Sequence, residues 1–256
     1  MHHVSETMKV WNTVLACNVL ILFMTSAMAQ KRGAVEPLNW AEGRVVDGQL
    51  SDWNSELTKN HSDQDLNYEL ANDQTHIYVA IRIVDMERQI QAVTRGVSFM
   101  INTEGRRRPG PSISFPVLDR IGFRARMSQD QEEALEIRSA ALASVRGIGV
   151  TDFDEVPEGQ IALSNDFGIQ AASRIDEDDA LVIEMSMPIG LLGGYDRIRS
   201  SELAYQLRIN NMLQQAPAAR PTPGLYGVNR GPVYGSGRTR QEPGVWGQIT
   251  LAEKPN

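Results

Sequence analysis

Acidic side chains recur in pairs along this chain: Asp63 with Asp65, Asp152 with Asp154, and Asp178 with Asp179. Two carboxylates at a fixed separation are what glycoside hydrolysis requires. Hard oxygen ligands of this kind also bind calcium. All three pairs sit in stretches with turn composition, however, and Asp152-Phe153-Asp154-Glu155-Val156-Pro157 breaks the calcium-loop pattern at its fifth and sixth positions. Of the four histidines only His61 and His76 lie beyond the first thirty residues, both in polar stretches. A His-based triad or a His-rich metal site therefore has little material. The chain holds no phosphate-cradling Gly-rich loop with Lys, no His-Glu-x-x-His and no Gly-x-Ser-x-Gly. Gly235-Ser236-Gly237 is a flexible loop fragment rather than a nucleophile elbow. These residues point away from an enzyme and from any resident cofactor, calcium being the one ion the loop carboxylates could take. Arg106-Arg107-Arg108 could meet an anionic glycan or lipid head group, but three charges also describe a solvated turn tip.

The whole chain sets the frame for those residues. At 256 residues, 41% hydrophobic and 22% charged, it has the composition of an ordinary folding chain. Its formal charge of −7, from 25 basic and 32 acidic residues, repels phosphate backbones and argues against general nucleic-acid binding. The single cysteine, Cys17, excludes a disulfide framework or a Cys-based zinc site. Lys9, the apolar run Val10–Met24 and the small residues of Ala27-Met28-Ala29 have the three-part form of a secretory signal, with cleavage expected after Ala29. Crossing a bilayer takes about 20 apolar residues, more than this run supplies. The expected mature chain is exported to a periplasm, a cell surface or the medium, has no membrane span, and must be stable through its core alone.

Period-2 alternation dominates after residue 40 and predicts strands. Leu66, Tyr68 and Leu70 share one face. Ile77–Val84 is apolar on both faces, as a central strand would be. Asn72-Asp73-Gln74-Thr75 between them supplies turn residues, so a hairpin is expected. Further strands are expected at 97–101, 169–175, 181–187, 203–209 and 245–251, with an acidic turn at Asp176-Glu177-Asp178-Asp179. Ser128 with Gln131 fits a capping box, and Ala134, Leu135, Ile137, Leu142 and Val145 suit one helical stripe, predicting a helical insertion over about 128–146. Pro217, Pro221, Pro223, Pro232 and Pro243, among repeated glycines, make about 216–244 a long irregular loop. The expected organisation is a signal over 1–29, a linker over 30–39 and one domain over 40–253. That domain is an all-β antiparallel β-sandwich of immunoglobulin-like or jelly-roll-like type.

Val46-Asp47-Gly48 followed by Asp52-Trp53, then Tyr68, Asn72-Asp73, Ile77-Tyr78-Val79-Ala80-Ile81 and Asp85, resembles the opening of the sugar-binding β-sandwiches related to carbohydrate-binding module family nine, relatives of DOMON domains. Glu184 with Pro188, and Trp246-Gly247-Gln248-Ile249 with Leu251, continue the pattern. Gly96 to Gly105, Arg106–Arg108 and Ile113-Ser114-Phe115-Pro116 are similar to a subgroup of exported bacterial proteins with a Gly/Pro-rich loop before the last strand. The resemblance spans roughly residues 40–253 and rests on the order of short motifs. It implies a site in which two exposed aromatics sandwich a sugar ring. One belongs just before the strand at 97–101, where this chain has Gln91-Ala92-Val93-Thr94-Arg95 and no aromatic. The other belongs in the loop before the last strand, where Tyr226 and Tyr234 stand. The remaining motif residues, Asp47, Gly48, Asp52, Trp53, Asn72, Asp73 and Trp246, are expected to be structural. Both tryptophans are expected to pack rather than face a ligand, because large aromatics dominate core energetics.

The leading expectation is therefore a non-catalytic glycan-binding protein with Tyr226 and Tyr234 as its stacking platform. A structural or assembly protein of the cell envelope, with a protein partner and the Pro/Gly loop as contact arm, is the alternative. A remoter one follows from the resemblance, since some DOMON-like relatives carry haem on Met/His axial pairs.

Overall fold

Strands that alternate apolar and polar side chains each have one face to hide, and a computed structural model shows where those faces meet. It describes residues 35–53, 57–61, 66–127, 133–210 and 244–255. The strands are β1 (Val35–Pro37), β2 (Asn39–Trp40), β3 (Lys59–His61), β4 (Leu66–Asn72), β5 (His76–Ile83), β6 (Val97–Asn102), β7 (Ser112–Leu118), β8 (Val145–Thr151), β9 (Gly159–Ala162), β10 (Gln170–Ile175), β11 (Leu181–Pro188), β12 (Leu203–Ile209) and β13 (Val245–Thr250). Helices α1 (Met86–Arg95), α2 (Arg120–Arg126), α3 (Ala134–Leu142) and α4 (Tyr195–Ile198) lie between them.

The strands form two sheets, and the fold is an all-β sandwich with inserted helix. One sheet has seven strands in the order β1-β13-β12-β6-β7-β8-β9. The other runs β10-β11-β5-β4-β2, with β3 also pairing with β4. All pairs are antiparallel except two at the edges, β1 with β13 and β2 with β4. Between the sheets lie Leu66, Leu70, Ile77, Val79, Ile81 and Ile83 from one hairpin, Leu181, Ile183, Met185 and Met187 from β11, and Val97, Phe99, Ile101, Leu203, Leu207 and Ile249 from the facing sheet. The two tyrosines buried between the sheets keep their polar ends satisfied: Tyr68 and Tyr205 hydroxyls hydrogen-bond to each other at 2.9 Å. Tyr205 faces Gly247 across the β12–β13 ladder.

Several local features differ from the sequence reading, among them strands β7 to β9 and helix α2, which it does not include. Val35–Pro37, in the stretch assigned to a linker, pairs with the last strand. The described part of the helical insertion begins at Ala134, and from Val145 the chain is already strand β8. Residues 128–132, which include the expected capping box, lie outside the described residues. Helix α1 was not anticipated. Asp85 caps its first turn by accepting from Arg88 N, Gly96 ends it with φ +82°, and Ala92 and Val93 carry its apolar side into the core. Arg138 of α3 is buried, donates to Gln89 of α1 at 2.6 Å and pairs with Asp179 at 2.5 Å. This cation ties both helices to the β10–β11 turn.

Candidate functional site

Residues that carried the motif pattern converge, but on one another. Glu184 alternates onto the outer face of the smaller sheet and is buried. Its Oε1 accepts from Trp53 Nε1 at 2.6 Å, while Oε2 accepts from the backbone N–H of Asp47 at 3.0 Å and of Gly48 at 2.6 Å. Gly48 has φ +81°, and a Cβ there would lie about 3.0 Å from the Ser173 carbonyl carbon, so this turn needs glycine twice over. Trp53 is 6% exposed and packs with Ala71, Tyr78 and Ala80, while the Arg44 guanidinium sits 3.8 Å over its ring. Asp52 accepts from Val45 N. The loop from Ala41 to Trp53 is thus fastened over the sheet by one carboxylate. Burial pushes the Glu184 carboxyl above its ordinary range, against the pull of the Trp53, Gly48 and Asp47 hydrogen bonds.

Asn72 and Asp73 also hold backbone. Asn72 Nδ2 donates to the Ala252 carbonyl and its Oδ1 accepts from Ala252 N, fixing the C-terminal tail against β4. Asp73 Oδ1 accepts from Thr75 N, Thr75 Oγ1 and His76 N, and Oδ2 accepts from the Tyr78 hydroxyl. Burial raises the Asp73 carboxyl, but those four hydrogen bonds outweigh it and hold the carboxyl below its ordinary value. A native pKa below the unfolded one contributes stability above the unfolded value, near 3.8, and loses it as pH falls through the native value. Asp73→Asn is therefore expected to lower stability at pH 7 by on the order of 1–2 kcal/mol. The gap in melting temperature from the unaltered protein should narrow as pH drops below about 4, a series that thermal melts from pH 7 to 2 would record.

The acidic pairs do not form a catalytic couple where they are described. Asp176 and Asp178 hold Arg82 at 2.7 and 2.8 Å, and Asp179 holds Arg138. Asp152 takes φ +61° in the β8–β9 connection. Asp63 and Asp65 lie outside the described residues, as do Tyr226 and Tyr234. Among the described residues no three His, Cys, Asp or Glu side chains gather as a metal ion would require. His76 is the first residue of β5 rather than a loop residue, with Nδ1 2.8 Å from Thr75 Oγ1.

A different set of residues, missed by motif reading, shares the outer face of the seven-stranded sheet. Tyr205, Leu207, Val245 and Ile249 point into the core, so Gln206, Arg208, Trp246 and Gln248 point out. Register then builds three rows. Trp246, Gln206, Met100, Ser112 and Thr151 lie side by side across five strands. Arg208, Ser98, Ser114, Gly149 and Gln160 form the next row. Gln248, Ala204 and Asn102 form the third. Successive rows are about 7 Å apart. Ser98 and Gln206 are sunk in the face, whereas Trp246, Gln248, Arg208, Ser112 and Ser114 are half-buried and Thr151 and Gln160 exposed. Trp246 therefore does not join the core. Gln206 Nε2 is buried with no hydrogen-bond partner among the described residues.

One end of this face is well built. Ser98 Oγ lies 2.6 Å from Ser114 Oγ and donates to Asn210 Oδ1 at 2.7 Å, while Asn210 Nδ2 donates to the Arg95 carbonyl and Asn210 N to that of Gly96. At the other end Asn102 Oδ1 accepts from Glu104 N and Arg106 N, and Gln248 Nε2 donates to the Gly105 carbonyl. These contacts fasten the Arg106–Arg108 turn to the rim.

A cleft of about 360 Å³ opens at the edge of the sandwich, where β2 and β3 share β4 as partner. Glu36, Asn39, Thr58, Lys59 and Glu69 line it over Leu38, Leu70 and Ile249. Asn39 donates to the buried Glu69 at 2.8 Å, and Lys59 pairs with Glu36. Among the described residues no helix is long and apolar enough to cross a membrane. No model of a known protein family matches the chain, and no curated protein matches its sequence.

Proposed function

We propose that this chain is a non-catalytic carbohydrate-binding protein that works outside the cytoplasm, related to the family-nine-like, DOMON-related sandwiches. The observation that carries this reading is the outer face of the seven-stranded sheet. It presents Ser112, Ser114 and Gln248 around the half-buried indole of Trp246, over a floor that includes the buried Ser98 and Gln206. Sugar hydroxyls both donate and accept, which suits Ser and Gln side chains, and an indole offers a flat apolar surface to the CH face of a pyranose. Binding sites typically combine such an apolar body with a few fixed polar groups. Tyr226 and Tyr234, which the sequence carries between Asn210 and Gly244, are the proposed stacking residues. Export follows from the signal-like first twenty-nine residues.

A glycan microarray with the unaltered chain, Trp246→Ala and the Tyr226→Ala/Tyr234→Ala pair tests this. Selective binding that either variant reduces at least tenfold, with melting temperature preserved in the tyrosine pair, is the expected result. A blank array from folded protein would overturn the reading.

An assembly role in the envelope is the second reading. Ile121, 83% exposed on the arginine-rich helix α2, favours it as a contact point. It predicts a co-purifying protein that Ile121→Ser releases.

A further inference from the structure

We infer that the free edge of β10 is a self-association surface, on which a second copy of this chain adds its own β10 antiparallel. The inference comes from backbone hydrogen bonds that the fold leaves unmade, and it is independent of the carbohydrate reading. Next to the β10–β11 ladder Asp176 N donates to the Ala180 carbonyl, which fixes the alternation along the strand. Gln170, Ala172 and Arg174 turn their N–H and C=O toward β11, while Ala171, Ser173 and Ile175 turn theirs away. β10 ends its sheet, and among the described residues no hydrogen bond meets the outward groups of those three residues. Unpaired backbone groups must face water or a partner, and all three residues are only half-buried. Gly48 lies against one face of β10 at Ser173 and β7 packs beneath the other, so the edge is the side left open.

The other outer strands are blunted. β1, β2 and β3 have two or three residues each, β1 with Pro37, and β9 has four, beginning at Gly159. Short strands, proline and irregular backbone keep sheet edges from pairing. β10 is six residues long, contains neither proline nor glycine, and matches β11 without a register shift. A long regular edge without those defences is a template for another strand. The residues of β10 favour its own copy as that strand. With Ser173 on a two-fold axis, Ser173 faces Ser173 of the second copy and Ala171 faces Ile175, so every outward N–H and C=O of the three residues is paired in both copies. Moving the register by two residues leaves some of them unpaired. Ala171 and Ile175 already pack against the core, and their meeting continues the apolar layer across the junction. On the other face Arg174 meets Ala172 and Gln170 meets Asp176, so no like charges stand directly opposite. The two Arg174 side chains are diagonal neighbours about 7 Å apart, and both are exposed and can lean into water.

Sedimentation velocity on the purified protein between about 1 and 200 µM tests this. One added strand pair makes a small interface, so reversible dimers of micromolar affinity are the expected result. Ser173→Pro removes an N–H that faces the open edge and puts its ring where the second copy would lie, while the bonds to β11 stay. It is expected to weaken dimerisation roughly tenfold or more and to leave the melting temperature of the dilute protein nearly unchanged. Two further variants avoid any effect of proline on the strand itself. Ser173→Lys and Ser173→Glu each set like charges face to face, so each alone is expected to be monomeric and the two mixed to dimerise. Only a residue that meets its own copy gives that result. A protein that stays monomeric up to about 200 µM, or a dimer that the Ser173 variants leave intact, overturns the inference. A mixture of the two charged variants that stays monomeric does the same. So does a folded monomer that holds a different protein through this edge and releases it on Ser173→Pro.

Discussion

Glu184→Ala lowers the stability of the domain by about 3–5 kcal/mol, a fall of roughly 6–20 °C in melting temperature for a chain of this size. Three N–H donors, from Trp53, Asp47 and Gly48, converge on this one carboxylate at 2.6 to 3.0 Å in a buried setting. Each donor left without an acceptor costs about 1–3 kcal/mol, and the three losses overlap because one loop carries all of them. Release of that loop also uncovers Trp53, whose ring holds down Ala71, Tyr78 and Ala80. Glu184→Gln keeps one acceptor for the indole and is expected to cost less, about 1–2 kcal/mol. The two substitutions also differ in pH response. Burial places the native carboxyl above its unfolded value near 4.5, so the contribution of Glu184 is fully present below that value and declines as pH rises through the native one. A melting series from pH 4 to 8 should show this decline in the unaltered protein and lose it in Glu184→Gln. Equal stability of Glu184→Ala and the unaltered chain would mean that the loop does not depend on the carboxylate.

The second large effect comes from adding a single methyl group. A Cβ at Gly247 would lie 2.4 Å from Tyr205 Cε1 and 2.6 Å from Cζ and the hydroxyl oxygen. Carbon atoms do not approach so closely, so the ring must move, and its hydroxyl bond to Tyr68 at 2.9 Å moves with it. Overpacking of this kind costs about 1–3 kcal/mol, and the strained buried hydroxyl pair adds to that. Gly247→Ala is expected at the upper end of the range, measured by urea denaturation. A double-mutant cycle identifies the cause. In a Tyr205→Ala background the same methyl should cost almost nothing, because the ring it strikes is gone. An equal cost in both backgrounds would place the penalty in the strand itself.

Much of this architecture is legible without coordinates. Leu66, Tyr68 and Leu70, or Leu203, Tyr205, Leu207 and Ile209, announce their strands because a sandwich buries every second residue. The turn at Asn72–Thr75 is equally plain, since Asp73 can satisfy the backbone of the two residues that follow the bend. Helix α1 was missed because five of its ten residues are charged or carboxamides. Its signals were nonetheless there: Met86, Ile90 and Val93 at helical spacing between the Asp85 cap and Gly96. The short edge strands β1 and β2 carry no periodicity long enough to read, and only their partners define them. At the candidate site the limits are different in kind. Asp47, Gly48, Trp53 and Glu184 could each be recognised singly, but their meeting spans well over a hundred residues of sequence. The outward positions of β6, β7, β12 and β13 follow from alternation. That they lie side by side depends on strand order, to which local periodicity is blind.

That strand order bears on how the protein can be made. β1 at Val35–Pro37 pairs with β13 at Gln248–Thr250, and two residues later β2 enters the opposite sheet beside β4. The first strands therefore lace one sheet to the other, and the last strand is the thread that closes the lace. A nascent chain can assemble the β4–β5 hairpin early, but the edges that β13 will cover stay bare until residues 245–250 emerge. Contacts between the two ends of a chain form late and slowly. During that interval the open edges of β12 and β1 are sites for pairing with the wrong chain. A ribosome stalled before Val245 would yield an unfinished sheet rather than a smaller domain. Emergence of β13 is thus a folding step in its own right, and a chaperone that held the chain extended until then would work with this topology.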